Sequence, residues 1–203
     1  MLRILIPAVL ALAACSTPPS QPDTALSLVA AEPALYPGET PQVRALVNKW
    51  ADHYDVPRSL VHRVIQRESD YRAAARNGPY YGMMQILPAT ARNMGMEGAP
   101  TQLLQADRGL EYSIRYLRGA WMVSGGDEYE AMMWYAKGYY YEAKRLGLLI
   151  ETGLRGQLWQ KYDQGEAKMP PIDEAGNLLP AEPEEPCEPA RGLGRVLGGD
   201  TCA

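Results

Sequence analysis

Between residues 40 and 165 every sustained apolar pattern repeats at helical spacing, and none alternates as a half-buried strand would. A core built from packed helices follows, and the fold class is read as all-α. Val43, Leu46, Val47, Trp50, Ala51 and Tyr54 make a first stripe, with Thr40 and Pro41 as start signals. A second helix begins near Pro57 and carries Leu60, Val61, Val64 and Ile65. Leu110, Ile114, Leu117 and Trp121 make a third stripe. Gly125-Gly126 breaks the chain, and Asp127 with Glu130 looks like a capping box for the next helix, which carries Ala131, Met132 and Tyr135. Leu146, Leu149 and Ile150 suggest a further helix, and Leu154, Leu158 and Trp159 a weaker one.

The flanks differ in composition. Arg3, the apolar run Ile4 to Leu12 and the small residues after it read as a secretory signal over 1–14, too short to span a membrane. Two cleavage readings stand. Ala11-Leu12-Ala13 fits an ordinary Ala-x-Ala site, whereas Leu12-Ala13-Ala14-Cys15 resembles the lipobox of bacterial lipoproteins, in which Cys15 is lipidated. The three cysteines favour the lipobox, because lipidation of Cys15 leaves Cys187 and Cys202 as an even pair for an oxidising compartment. Residues 15–39 are then the lipidated N-terminus and a disordered linker rich in Pro, Ser, Thr and Ala. Residues 166–203 form a Pro/Gly-rich tail, in which Cys187 and Cys202 are expected to close a small disulfide loop appended to the helical domain. Ser16 follows the cysteine, so a lipid-anchored place on the periplasmic side of an outer membrane is expected. The 20 Lys and Arg are dispersed and outnumbered by 24 Asp and Glu, which leaves no nucleic-acid footprint.

Glu68 is the informative residue. It lies three, four, seven and eight positions after Ile65, Val64, Val61 and Leu60, so it continues their stripe. Arg63, Gln66 and Arg67 take the other side. A carboxylate on a core-facing stripe is desolvated, which raises its pKa and suits it to act as a general acid. The plainer reading is a helix-end Glu paired with Arg72 at i+4.

The following motifs change that balance. The run Glu68-Ser69-Asp70-Tyr71, then Tyr81-Gly82-Met83-Met84-Gln85-Ile86-Leu87-Pro88-Ala89-Thr90-Ala91, resembles the lytic transglycosylase family with its goose-type-lysozyme-like domain. Tyr116-Leu117 looks like the family's helical Tyr-Leu pair, and Trp134-Tyr135-Ala136-Lys137-Gly138 stands where the family has Ala-Tyr-Asn-Ala-Gly. The resemblance covers about residues 43–146. It implies a lysozyme-like helical domain over 40–165 that cuts the β-1,4 bond between N-acetylmuramic acid and N-acetylglucosamine in peptidoglycan. Glu68 would be the single acid/base, forming a 1,6-anhydro end. Ser69, Tyr81, Gly82, Met84, Gln85 and Tyr135 would bind the glycan. Two departures are visible: Ala136 replaces the family Asn, with Lys137 as a candidate substitute, and the loop before Gly82 is about one residue short.

Chemistry on the residues agrees with parts of this. A Gly lets backbone approach a ligand, and a Gln amide both donates to and accepts from sugar groups. Met83 and Met84 also read as core, and Tyr135 as a core tyrosine on the Ala131-Met132 face. Of the tyrosines near the motifs (Tyr80, Tyr81, Tyr139, Tyr140 and Tyr141), Tyr81 is the first choice for a sugar contact because it adjoins the Gly-Met-Met-Gln run. Asp70, two residues after Glu68, would point away on a continued helix, so no second carboxylate is evident. His53 and His62 lie on different helices without ligand clusters, so no metal is expected, and the mechanism that the resemblance implies needs no cofactor. Hydrolysis of the same bond, as by a muramidase, and a non-catalytic glycan-binding lipoprotein are the competing functions. Ala136 speaks for the last.

Overall fold

The structure is a computed structural model that describes residues 33–180. The signal segment 1–14, Cys15, Cys187 and Cys202 lie outside the described residues, as does most of the linker. All elements below belong to the unit that begins at Leu35.

Seven α-helices account for about half of the described chain: α1 Pro41–His53, α2 Arg58–Glu68, α3 Pro88–Asn93, α4 Ala106–Ser124, α5 Glu128–Lys137, α6 Tyr140–Leu146 and α7 Leu158–Asp163. The all-α fold expected from the periodicity is the fold observed. Two elements carry no helical stripe and were not expected. A hairpin pairs β1 Arg76–Asn77 with β2 Tyr80–Tyr81 around Gly78 and Pro79. A short 3-10 helix, Pro100–Leu104, leads into α4.

Local signals fix the helix ends. Thr40 caps α1 by accepting from the Val43 amide at 3.2 Å, with Pro41 behind it. The Asp127 side chain accepts from the Glu130 amide at 2.9 Å and starts α5. Gly147 stops α6 in the left-handed conformation. Leu149 and Ile150 therefore lie beyond the helix that their spacing with Leu146 suggested, and Ile150 is exposed. The weaker pattern at Leu154, Leu158 and Trp159 becomes α7, which starts only at Leu158.

The core gathers around α4. Nearly every residue of α4 from Gly109 to Val123 is buried, and α1, α3, α5, α6 and the 3-10 helix all pack on it. Gly119 opens a notch in α4 that the Tyr139 ring fills, with its hydroxyl donating to the Tyr116 carbonyl at 2.9 Å. Arg115 brings charge into the core together with its partners. Arg115 of α4 reaches Asp163 at 2.6 Å, Tyr54 at 2.7 Å and the Met94 carbonyl at 2.8 Å, which ties α1, α3 and α7 to α4.

Part of the segment read as tail also packs on α4. Ile172 is buried, and its bridge to Leu178 closes a turn whose centre is held by Asp173, which accepts from the Ala175 and Asn177 amides. Gly176 lies against Trp121. Fully buried Arg118 donates to the Pro170 carbonyl. Burial pulls the Arg118 guanidinium down to about 10, still far above neutral, so the charge is kept inside. Among the described residues no helix is long and apolar enough to cross a membrane.

Candidate active site

Glu68 is the last residue of α2. The stripe that leads to it, Leu60, Val61, Val64 and Ile65, has no exposed surface. One turn further along that stripe, the Glu68 side chain emerges at 23% exposure into a cleft of about 520 Å³. Arg67 and Glu68 form one wall and Asn77 and Tyr80 of the hairpin another, while Gln85 to Leu87, Thr90, Tyr116 and Tyr135 to Gly138 complete the cleft. Among these lining residues Glu68 is the sole carboxylate.

Burial raises the Glu68 pKa above the ordinary carboxyl range, and the charge of Arg67 offsets this only in part. The Arg67 Nε is 3.9 Å away, at the limit of an ion pair. Arg72, the partner of the plainer reading, instead donates from Nε to the Ser69 carbonyl at 2.9 Å. The carboxyl is thus partly desolvated, faces a cleft and has no close partner to hold it ionised. Such a group can give a proton and take it back.

The backbone around Glu68 is strained. Of five described residues other than glycine with positive φ, two directly follow Ser69 and one lines the cleft: Asp70 (51°), Tyr71 (64°) and Gln85 (50°). Each costs about 1 kcal/mol or more and persists only where the surroundings fix it. The Ser69 and Asp70 amides both donate to the Ile65 carbonyl at 3.0 Å. The Ser69 hydroxyl donates to the Met83 carbonyl at 2.7 Å, and the Tyr135 hydroxyl to the Met84 carbonyl at 2.9 Å. Ser69 at the end of α2 and Tyr135 of α5 therefore both hold the Gly82–Gln85 turn.

Apart from Tyr81, the residues singled out in the sequence divide into two groups. Glu68, Gln85 and Tyr135 line the cleft. Ser69, Gly82 and Met84 are buried behind it and shape its wall. The Gln85 Nε2 donates to the Gly82 carbonyl at 2.7 Å and to the Ala75 carbonyl at 3.3 Å. Both acceptors are carbonyls, which fixes the amide orientation and leaves the amide oxygen as what Gln85 offers a ligand. Burial, and then the Glu68 charge, raise the Tyr135 pKa, so its hydroxyl stays a donor. Gly82 serves protein packing: a Cβ there would sit 2.2 Å from the Leu103 carbonyl oxygen. The close backbone approach is to the 3-10 helix.

Tyr80, not Tyr81, borders the cleft. Successive strand residues point to opposite faces, so Tyr81 turns inward under the Arg76 guanidinium, 4.7 Å from its ring centroid. Tyr139 is core, while Tyr141 is 84% exposed outside the cleft. Ala136 is an exposed cleft residue beside Lys137, whose Nζ lies 3.7 Å from the Trp134 ring centroid. Asn77, Thr90 and Tyr116 also line the cleft and were not among the residues selected. Thr90 and Tyr116 sat inside motifs already quoted, and the Asn77-Gly78-Pro79 turn would have marked the hairpin.

The histidines have structural partners. His62 Nδ1 is 2.8 Å from the Tyr71 hydroxyl, and His53 Nε2 is 3.1 Å from that of Tyr162. Among the described residues no three His, Cys, Asp or Glu side chains converge as metal ligands.

Comparison with known families matches residues 45–146, half of the chain, to the transglycosylase SLT domain. The match spans α2, the hairpin, the Gly82–Gln85 turn and α5, so every residue that lines the cleft falls within it. No solved structure matches the chain.

Proposed function

The chain belongs to the transglycosylase SLT domain family, and from that premise we propose that Glu68 acts as both acid and base in cutting peptidoglycan glycan strands without water. The family places the chain among the peptidoglycan lytic transglycosylases as a class. The finer reading rests on one observation: Glu68 is the sole carboxylate lining the cleft, and it is half-buried with a raised pKa.

A glycosidase of the ordinary kind needs two carboxyl groups across the scissile bond. With one, the substrate must supply the second nucleophile. Protonated Glu68 gives its proton to the glycosidic oxygen, and the bond from that oxygen to C1 of N-acetylmuramic acid breaks. The acetamido group of that sugar shields C1. The Glu68 carboxylate then removes the proton of the same sugar's 6-hydroxyl, whose oxygen closes on C1. The proton ends where it began, the new end is a 1,6-anhydro sugar, and neither water nor a cofactor enters. The Gln85 amide oxygen and the Tyr80 ring suit a sugar's hydroxyls and its apolar face. The exchange of the family Asn for Ala136 removes a contact to the glycan, not the acid.

Glu68→Gln in the purified protein tests the reading. Loss of an acid/base group is expected to lower the rate of sacculus digestion by about 10²–10⁴-fold with the fold retained. A wild-type rate in the variant refutes the role, and a wild-type protein that itself binds sacculi but never digests them supports the glycan-binding alternative.

The proposal extends to location. Lipidation of Cys15 by the Leu12-Ala13-Ala14-Cys15 motif would hold the domain on the periplasmic side of an outer membrane, within reach of peptidoglycan. Cys187 and Cys202 would pair there. Fractionation of Cys15→Ala against wild type tests the anchor, and non-reducing peptide mapping tests the pairing.

A further inference from the structure

The strained turn after Glu68 is supported from behind by the segment that enters the domain. At Tyr36–Glu39 the chain folds back on itself: the Glu39 amide donates to the Tyr36 carbonyl at 3.0 Å and the Tyr36 amide to Glu39 Oε2 at 2.9 Å. The Glu39 side chain is fully buried. The Arg44 guanidinium grips it in a fork, Nε to Oε1 and Nη2 to Oε2, both at 2.6 Å. Burial alone would raise the Glu39 pKa, but Arg44, the Tyr36 amide and His62 together bring it below its ordinary value, so the carboxylate stays charged. His62 of α2 stands next in line, its Nδ1 3.7 Å from Glu39 Oε1 and 2.8 Å from the Tyr71 hydroxyl. The Tyr36 ring stacks on that of Tyr71 with centroids 6.2 Å apart. Gly38 lies so close to Asp70 that a Cβ there would be 3.0 Å from the Asp70 carbonyl oxygen.

These contacts end on Asp70 and Tyr71, the two residues after Ser69 that hold the left-handed conformation against their own preference. A structural ion pair alone has no reason to converge there. We propose that Glu39, His62 and Tyr71 are positioning residues for Glu68. The buried Glu39–Arg44 pair orients His62, His62 and Tyr36 fix the Tyr71 side chain, and the Asp70–Tyr71 turn thereby ends α2 with Glu68 turned into the cleft. This rests on the reading of Glu68 as the acid/base. Released from it, the turn relaxes toward ordinary backbone angles and Glu68 gains freedom to move toward solvent. A displacement of about 1 Å at a reacting group lowers rate by up to about a hundredfold without weakening substrate binding.

The experiment uses the full-length chain. Tyr71→Phe keeps the ring and removes the hydroxyl that meets His62, and Glu39→Gln keeps the shape and removes the charge. Both are expected to lower kcat about tenfold or more with KM within about twofold. Both are also expected to lower the Glu68 pKa, read by NMR titration of its carboxyl carbon without substrate. The titratable groups that line the cleft with that carboxyl are unchanged in both variants: Arg67 on its own helix, Tyr80 from the hairpin, Tyr116 from α4, and Tyr135 and Lys137 from α5. Asp127→Ala, which removes the α5 cap far from the turn, controls for lost stability and keeps the wild-type kcat and titration. All rates are taken well below each variant's unfolding midpoint. Tyr71→Phe and Glu39→Gln variants that melt earlier yet keep the wild-type kcat and Glu68 titration overturn the proposal. A Glu68→Gln protein at the wild-type rate overturns the acid/base reading, whereas the NMR titration still reports whether the network positions the side chain.

Discussion

Gly82→Ala concentrates the fold and the site in one methyl group. The ideal Cβ would sit 2.2 Å from the Leu103 carbonyl oxygen, closer than non-bonded atoms approach by about an ångström. That oxygen cannot simply retreat. It is also met by α4 at Gly109, where a Cβ would be 2.6 Å from the same atom. Relief must come from the Gly82 side, from the turn that carries Gln85 and is gripped through the Met83 and Met84 carbonyls. Gly82 also has φ +77°, which costs an L-residue about 1–2 kcal/mol. Overpacking against backbone adds about 1–3 kcal/mol, and the stiffer unfolded chain returns about 0.4–1 kcal/mol. The net expectation is a loss of roughly 2–4 kcal/mol in urea unfolding, with the m-value unchanged. Activity should fall further than stability explains, because the moving turn shares a wall with Glu68. Turbidity loss of sacculi, followed at a temperature where the variant is fully folded, measures this. An unchanged urea midpoint would refute the packing argument, and a wild-type rate in the folded variant would refute the coupling of that turn to the site.

Three further expectations follow from the same contacts. Truncation after Lys168 removes buried Ile172 and the carbonyl that Arg118 donates to; thermal unfolding should show a loss of roughly 2–5 kcal/mol, and an unchanged melting temperature would make the segment dispensable. Glu68→Gln should stabilise the protein at neutral pH, because burial in the folded state disfavours the ionised carboxylate that the unfolded chain carries there freely. That advantage grows as pH rises through the raised pKa and vanishes below the ordinary value of 4.5; a pH-independent difference in melting temperature would contradict it. Asp127→Ala should cost about 1 kcal/mol by chemical denaturation while leaving the digestion rate unchanged.

What was legible in the sequence was whatever a period of 3.6 can carry. The stripe Leu60, Val61, Val64 and Ile65 placed Glu68 at the edge of the core, because a helix fixes direction from spacing alone. The caps at Thr40 and Asp127 were readable for a similar reason: each acts within one turn. The hairpin escaped because strands of two residues have no alternation to see, and with it went the choice between Tyr80 and Tyr81. Leu149 and Ile150 share helical spacing with Leu146, but Gly147 ends that helix before them. The packed segment at Ile172 hid in a composition that correctly reads as loop, since Pro and Gly say nothing of where a loop is pinned. The Glu39–Arg44–His62–Tyr71 chain was out of reach, because polar groups buried through long-range contacts leave no periodic trace. Gly82 shows a subtler limit. The need for glycine was readable, but whether a ligand or the protein's own backbone fills the space was not.

The central claim is that Glu68 works alone and the substrate's own hydroxyl replaces water. Digestion of peptidoglycan by the purified protein in heavy-oxygen water, with mass spectrometry of the new ends, tests it most directly. The expected ends carry no heavy oxygen and weigh one water less than reducing ends. Heavy oxygen in most new ends would contradict it and assign the cleft to hydrolysis.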